Sequence, residues 1–160
     1  MAKFLYLDFD GVLHDDAVYW HPKRGIYLAT LNRILFEWSH ILEELVEPFP
    51  DLQIILSTSW VRMRSFEFAK SKLPISLQKR VIGATFHNRE LQKIEFDHMS
   101  RWQQISSDAK RRNLENWFAI DNDCRGWPER FRDQLVLTND RLGLSEESVQ
   151  NQIREFLSQP

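Results

Sequence analysis

Two acidic pairs in the sequence stand directly behind apolar runs. Asp8 and Asp10 follow the first run, residues 4–7, and Asp121 and Asp123 follow a later one. Carboxylates that are crowded together repel one another, and removal from water strengthens that repulsion, so such clusters generally hold a divalent cation or a shared proton. Oxygen ligands favour Mg²⁺ over softer metals. The two pairs therefore predict a magnesium site, provided that the fold brings them together.

The elements that must position these residues alternate along the chain. Short apolar runs alternate with longer helical patterns, which is typical of an α/β fold with a mostly parallel sheet. The predicted strands are residues 4–7, 52–56, 81–84, 117–120 and 135–137. Ligands of such sheets bind beyond the carboxyl ends of the strands. Ser57 and Thr58, which follow the second strand, are therefore expected in the same crevice as the acidic pairs.

Helices are predicted where apolar residues recur at three- and four-residue steps. The longest pattern predicts a helix from about Ala29 to Glu47, ended by Pro48. Further helices are predicted over residues 65–72 and 101–112, and Ser145 is predicted to cap a last helix. Because one helix and a loop would fill the interval between the first two strands, we expect no substantial cap domain and an open site.

Three strand-end segments resemble motifs of the haloacid dehalogenase (HAD) superfamily, which includes phosphatases with an aspartate nucleophile. Residues 8–13 resemble its first motif, residues 54–58 its second and residues 118–123 its fourth, in the right chain order. The tail, residues 135–145, is similar to that of the small capless HAD domains of Swiss Army Knife RNA-repair proteins. The resemblance implies a single HAD-like (Rossmannoid) domain over residues 1–160, folded as a three-layer sandwich.

The resemblance also implies a role for each acidic residue in a two-step phosphoryl transfer. Asp8 would attack phosphorus, and Asp10 would protonate the leaving oxygen and later take a proton from water. Mg²⁺ would be held by Asp8, Asp121 and the backbone carbonyl of Asp10, with Asp123 reached through water. Asn122 stands where the commonest fourth motif has a second adjacent acid, which leaves the part played by Asp123 open.

Phosphate would be bound by hydroxyl groups behind the second strand and by one basic side chain. Thr58 is preferred over Ser57 for the first task, with Ser59 beside them, and capping of the next helix is the alternative role. Arg101 is preferred as the basic residue because it opens the helix that leads into the fourth strand. The alternatives for the basic residue are Lys93 and Lys110.

The resemblance thus implies a Mg²⁺-dependent phosphatase of phosphomonoesters, with an RNA or DNA end or a nucleotide as the favoured substrate. The alternatives are a non-catalytic module that holds Mg²⁺ and phosphate, and a phosphatase of small metabolites. A net charge of −2 gives no global field for a polyanion, so nucleic acid must meet a local patch. Basic groups at residues 23–24, 79–80 and 110–112 are candidates, and Trp20 and Trp60 are candidates for base stacking, with packing as the alternative.

Composition limits the remaining partners. The apolar stretches fall well short of the roughly 20 residues that span a bilayer, so no membrane partner is expected. The single cysteine, Cys124, excludes an internal disulfide. Cytoplasmic location is the default expectation, and the sequence leaves the oligomeric state open.

Overall fold

The computed structural model describes residues 2–87 and 93–160. Its strands are β1 (Phe4–Leu7), β2 (Val18–His21), β3 (Gly25–Leu28), β4 (Gln53–Leu56), β5 (Val81–Ala84), β6 (Trp117–Asp121) and β7 (Leu135–Leu137). Five of them form the central sheet in the order β5-β4-β1-β6-β7, and every neighbouring pair is parallel. Because β1 lies between β4 and β6, the carboxyl ends of these three strands meet at the middle of one sheet edge.

Helices cover both faces of the sheet. They are α1 (Ser39–Val46), α2 (Ser59–Met63), α3 (Phe66–Ser71), α4 (Ile75–Gln78), α5 (Lys93–His98), α6 (Arg101–Arg112) and α7 (Glu147–Ser158), with 3-10 turns at Glu129–Gln134 and Gly143–Ser145. Within the described ranges, none of the helices has the length and apolar character needed to cross a membrane.

Two apolar cores lie on opposite faces of the sheet, because successive side chains of a strand point to opposite sides. Leu5 and Leu7 belong to the larger core, which contains residues of α1 and α7. Tyr6, between them, belongs to the smaller core with Ile105 and Ala109 of α6. The predicted three-layer α/β sandwich with a parallel sheet is confirmed.

The prediction of a long helix over residues 29–47 is wrong. The observed helix, α1, covers only Ser39–Val46. Asn32 and Phe36 have φ angles of 60° and 61°, a left-handed conformation that a right-handed helix does not accommodate. Leu31, counted in the predicted apolar face, is 84% exposed.

A short antiparallel hairpin, β2 paired with β3, precedes this loop. The sequence analysis did not predict this hairpin. The whole interval between β1 and β4 is described, and it forms no separate cap domain, as predicted.

The start of α6 is set by a capping box. The Ser100 hydroxyl accepts from the backbone N–H of Gln103, and the Gln103 side chain accepts from the Ser100 N–H. The helix therefore begins at Arg101, as predicted. The predicted cap of the last helix is wrong: Glu146 precedes α7, and Ser145 lies in a 3-10 turn where its hydroxyl donates to the Leu142 carbonyl. Ser145 therefore lies one residue before the N-cap position of α7, which Glu146 occupies without a side-chain cap.

Candidate active site

Asp8 and Asp121 form a buried carboxylate pair at the sheet edge. Leu7 of β1 is in register with Ile120 of β6, so the next residue of each strand reaches the same place. Both side chains are almost completely buried. Asp8 Oδ1 accepts from the Phe9 N–H at 2.8 Å, and Asp121 Oδ1 accepts from the Asp123 N–H at 2.9 Å. The backbone therefore holds one oxygen of each carboxylate and leaves the Oδ2 atoms for other partners.

Arg101 supplies the positive charge beside those Oδ2 atoms. Its Nε lies 2.9 Å from Asp121 Oδ2, and its Nη2 lies 3.7 Å from Asp8 Oδ2. Burial and the negative charge of Asp121 raise the pKa of Asp8 well above its ordinary value, although the Arg101 guanidinium opposes that rise. Burial raises the pKa of Asp121 to about 6, again against the effect of Arg101. One guanidinium therefore only partly compensates two buried carboxylates.

Gly11 allows the loops behind β1 and β6 to approach each other. Its φ is +74°, and a Cβ at this position would collide with the side chain of Asn122. Its carbonyl accepts from the Thr138 hydroxyl at 2.7 Å. The glycine of the first motif is thus required both by backbone conformation and by space.

Asp10 is oriented by two ring nitrogens. Its Oδ1 accepts from Trp60 Nε1 at 2.8 Å and lies 2.8 Å from His14 Nε2. The His14 ring is fully buried, and its Nδ1 accepts from the backbone N–H of Phe36 at 3.0 Å. An accepting Nδ1 in a neutral imidazole leaves the proton on Nε2, so His14 donates to Asp10.

Sequence reasoning did not assign this orienting role to His14 or Trp60. It treated Trp60 as a packing or stacking residue and gave His14 no role. The spacing of His14, four residues after Asp10, was the available signal. The partner of the His14 Nδ1 is 22 residues away, which no local pattern shows.

The three hydroxyl residues behind β4 occupy different environments. Thr58 caps α2, with its Oγ1 accepting from the Trp60 N–H at 3.3 Å. The Ser57 Oγ is buried and has no hydrogen-bond partner among the described residues. Ser59 is exposed and lines the same pocket as Asp8 and Asp10. The capping role of Thr58 is therefore observed, and phosphate binding by these residues stays a prediction.

Asp123 lies at the rim of the site. Its carboxylate accepts from the Arg125 guanidinium at 2.8 to 3.2 Å, which lowers its pKa below the ordinary value. Its place in a metal site stays a prediction. Of the three basic candidates, Arg101 is the one beside the carboxylate pair; Lys93 lines a different pocket, and Lys110 is exposed near the end of α6.

The donor set of the carboxylate pair suits a hard divalent cation. Asp121 Oδ2 is buried without a hydrogen bond, since its contact with Arg101 Nε is an ion pair only. No group of three or more His, Cys, Asp or Glu side chains is gathered as a metal site in residues 2–87 and 93–160. Mg²⁺, however, commonly binds one or two protein carboxylates and takes its other ligands from water and substrate phosphate. The carboxylates of Asp8 and Asp121 are therefore suitable ligands for Mg²⁺.

A pocket of about 470 Å³ opens beside Asp8 and Arg101. We call it the aspartate pocket; Asp8, Asp10, Ser59 and Arg101 line it, together with residues of the loops behind β6 and β7. It brings the nucleophile candidate, the acid candidate and a guanidinium to one open cavity. Such a cavity can receive a phosphate group and still leave room for a bulky leaving group.

A parallel α/β sheet with two aspartates behind its central strand, a third at the end of the neighbouring strand and an arginine beside them defines a protein of the HAD type. Over residues 4–149 the chain matches the family described as the HAD domain in Swiss Army Knife RNA repair proteins. The chain therefore belongs to this family, as the sequence motifs indicated. No curated protein and no solved structure matches it.

Proposed function

We propose that this protein is a Mg²⁺-dependent phosphatase that hydrolyses phosphomonoesters through a phosphoryl group carried on Asp8. The observation that carries the proposal is the contact of Asp8 Oδ2 with the partly buried Arg101 guanidinium, 3.7 Å away, at the carboxyl end of β1. A carboxylate oxygen held out of water, next to a fixed positive charge, suits attack on an anionic phosphorus centre. Family membership supports a phosphatase on the same chain segment.

In the first step Asp8 Oδ2 attacks phosphorus in line with the leaving oxygen. The bond between phosphorus and the ester oxygen breaks, and the carboxylic acid of Asp10 gives its proton to that oxygen. Trp60 and His14 bind Oδ1 of Asp10, which leaves Oδ2 to carry the proton. Arg101 stabilises the negative charge that the transferring group brings to the pocket.

In the second step water releases the phosphoryl group from Asp8. Asp10, now a carboxylate, takes a proton from the attacking water, whose oxygen forms the new bond to phosphorus. The bond between phosphorus and the Asp8 oxygen breaks, which regenerates the carboxylate and gives inorganic phosphate. One residue therefore serves as acid and then as base, as its single fixed orientation allows.

The cation would be held by the side chains of Asp8 and Asp121 and by the backbone carbonyl of Asp10, with Asp123 reached through water. When bound, Mg²⁺ supplies charge neutralisation between the anionic nucleophile and the anionic phosphate. Arg101 alone neutralises the negative charge of the two carboxylates only in part, as the raised pKa values of Asp8 and Asp121 indicate.

We further propose a phosphorylated RNA or DNA end as the substrate. The family's description places these domains in RNA repair. The aspartate pocket is open, and the hairpin β2–β3 beside it is short, so a polymer end has access to Asp8. The nucleic-acid substrate also agrees with the basic surface described in the next subsection.

The test is hydrolysis of an aryl phosphate, with and without EDTA. We expect turnover with Mg²⁺, background rates with EDTA, and background rates for Asp8→Asn. Asp51→Asn makes the same charge change at an exposed position before β4, at the opposite end of the sheet, and should match the wild type. Wild-type turnover by Asp8→Asn would refute the nucleophile, and turnover in EDTA would refute the metal dependence.

A further inference from the structure

A second cavity, the basic pocket, lies between the segment around α2 and α3, β5 and the last turn of α6. Its volume is about 640 Å³. It is lined by five cationic side chains and one histidine: Arg62, Arg64, Lys93, Arg111, Arg112 and His87. No Asp or Glu belongs to the lining that the structure describes. In a chain of net charge −2, this is the kind of local patch that a polyanion needs.

Two carboxylates outside the lining offset part of this charge. Buried Asp108 accepts from Arg112 Nε at 2.7 Å and pairs with Arg111, while Asp97 pairs with Arg62 at 2.7 Å. Within residues 2–87 and 93–160, the lining of the pocket thus has more cationic side chains than there are carboxylates paired with them. Asp108 holds Arg111 and Arg112, the two arginines in the last turn of α6, in place.

Gly83 of β5 contributes to the same arrangement. The Arg112 guanidinium packs against the Gly83 backbone. A Cβ at Gly83 would lie only 2.5 Å from Arg112 Nη2. The absence of a side chain at this position therefore lets Arg112 reach across β5 into the pocket. The aromatic rings of Phe66 and Phe86 complete the wall.

A third cavity, the aromatic groove, shares lining residues with both the basic pocket and the aspartate pocket. Its volume is about 460 Å³, and Tyr19 and Trp20 of the hairpin, Met63, Arg64 and Asp10 line it. Trp20 is 59% exposed, so its ring is available to a ligand. Asp10 belongs to both this groove and the aspartate pocket, and Arg64 to both this groove and the basic pocket. The three cavities are therefore neighbours around α2.

The aspartate pocket, the aromatic groove and the basic pocket together suit the phosphates and bases of a single nucleic-acid strand. Proteins that bind single strands combine a positive groove for the backbone with aromatic faces on which bases stack. We propose that the terminal nucleoside of a single-stranded RNA or DNA lies in the aromatic groove against Trp20, and that the adjoining phosphodiester lies in the basic pocket beside Arg64 and Lys93. The inference rests on the proposed function for the position of the strand end, and it predicts a preference for oligonucleotides over mononucleotides.

The test measures binding without catalysis. The probe is a fluorescent RNA hexamer with no terminal phosphate, followed by anisotropy over a range of salt concentrations. For Arg64→Gln/Lys93→Gln we expect roughly tenfold weaker binding, and a slope of log affinity against log salt that falls by about 1.4, or about 0.7 for each lost contact. Both side chains are exposed, so the variant is expected to fold. Arg132→Gln/Arg154→Gln removes the same charge at exposed positions outside the pocket and should bind like the wild type.

The aromatic groove is tested with the same probe. Trp20→Ala should weaken binding by about five- to a hundredfold, the usual contribution of one stacked base, and Trp20→Phe should restore most of it. If Arg64→Gln/Lys93→Gln and its control variant lose the same binding affinity, the basic pocket does not bind the strand. If Trp20→Ala binds the probe as tightly as the wild type, the aromatic groove does not bind the terminal nucleoside. Equally tight binding of hexaglutamate would overturn the assignment to nucleic acid. Because the probe carries no phosphomonoester, these results stand apart from the phosphatase assay.

Discussion

The hydrogen bond from Trp60 to Asp10 offers a quantitative test of how the proposed acid is positioned. Trp60→Phe keeps an aromatic ring and removes only the Nε1 donor that lies 2.8 Å from Asp10 Oδ1. A hydrogen bond between neutral groups contributes about 0.5–1.5 kcal/mol, and Asp10 is a neutral acid when it protonates the leaving oxygen. If all of it serves to hold Asp10 in its reactive orientation, kcat falls by roughly 2- to 13-fold, at 1.36 kcal/mol for each factor of ten.

The leaving group decides how large the effect is. An alkyl phosphate needs its leaving oxygen protonated, whereas a nitrophenyl phosphate leaves with less help from an acid. We therefore expect Trp60→Phe to lower kcat strongly for the alkyl ester and weakly for the nitrophenyl ester, with KM little changed for both. Steady-state kinetics on the two esters measures the difference.

Trp127→Phe is the matched control. Trp127 is also buried, and its Nε1 donates to the Phe131 carbonyl at 2.7 Å, away from the aspartate pocket. Its loss should lower the melting temperature and leave kcat on both esters unchanged. Wild-type kcat for Trp60→Phe on the alkyl ester, or an equal loss for both tryptophan variants, would refute the positioning of Asp10 by Trp60.

Three further variants test the structure by urea unfolding in EDTA. Gly11→Ala should lower the free energy of unfolding by at least about 1 kcal/mol more than Gly25→Ala does. Both positions have positive φ, but only Gly11 is crowded, by the side chain of Asn122. Equal losses of stability in the two variants would contradict this prediction. Tyr6→Phe removes the hydroxyl that donates to buried Asp108 at 2.8 Å and should cost about 1.5–3 kcal/mol, whereas exposed Tyr19→Phe should stay within about 0.5 kcal/mol. Arg101→Gln leaves two buried carboxylates without their cation and should cost about 3–5 kcal/mol, against no change for exposed Arg154→Gln. For Tyr6→Phe and for Arg101→Gln, a loss of stability no larger than that of the control variant would contradict the prediction.

The sheet and the meeting of its strand ends were predictable because buried parallel strands are short apolar runs followed by polar residues. Arg101 was also predictable as the first residue of α6, because Ser100 and Gln103 form the capping box in front of it. These features depend on local sequence and on the general rule that parallel strands share one functional edge.

The hairpin and the loop that follows it were not predictable in the same way. The four residues of β2 are all partly or fully exposed, so they lack the contrast between apolar and polar positions that marks a half-buried strand. The left-handed conformations at Asn32 and Phe36 depend on tertiary contacts, among them the bond from the Phe36 N–H to His14. A three- and four-residue apolar spacing does not reveal them.

The environment of Asp10 escaped sequence reasoning for a related reason. Trp60 is 50 residues away along the chain, and His14 is fixed by a backbone group 22 residues away. The sequence motifs indicate which carboxylates are candidates for the site, whereas the fold determines which oxygen of Asp10 is held by hydrogen bonds.

The most direct test of the central claim is the chemical state of Asp8 during turnover. The enzyme is mixed with substrate and Mg²⁺, quenched in acid within one turnover, and analysed by intact mass and peptide mapping. We predict one added phosphoryl group, located on the peptide that contains Asp8 and absent from Asp8→Asn. Rapid turnover with no phosphorylated enzyme, or with the phosphoryl group on another residue, would contradict the mechanism.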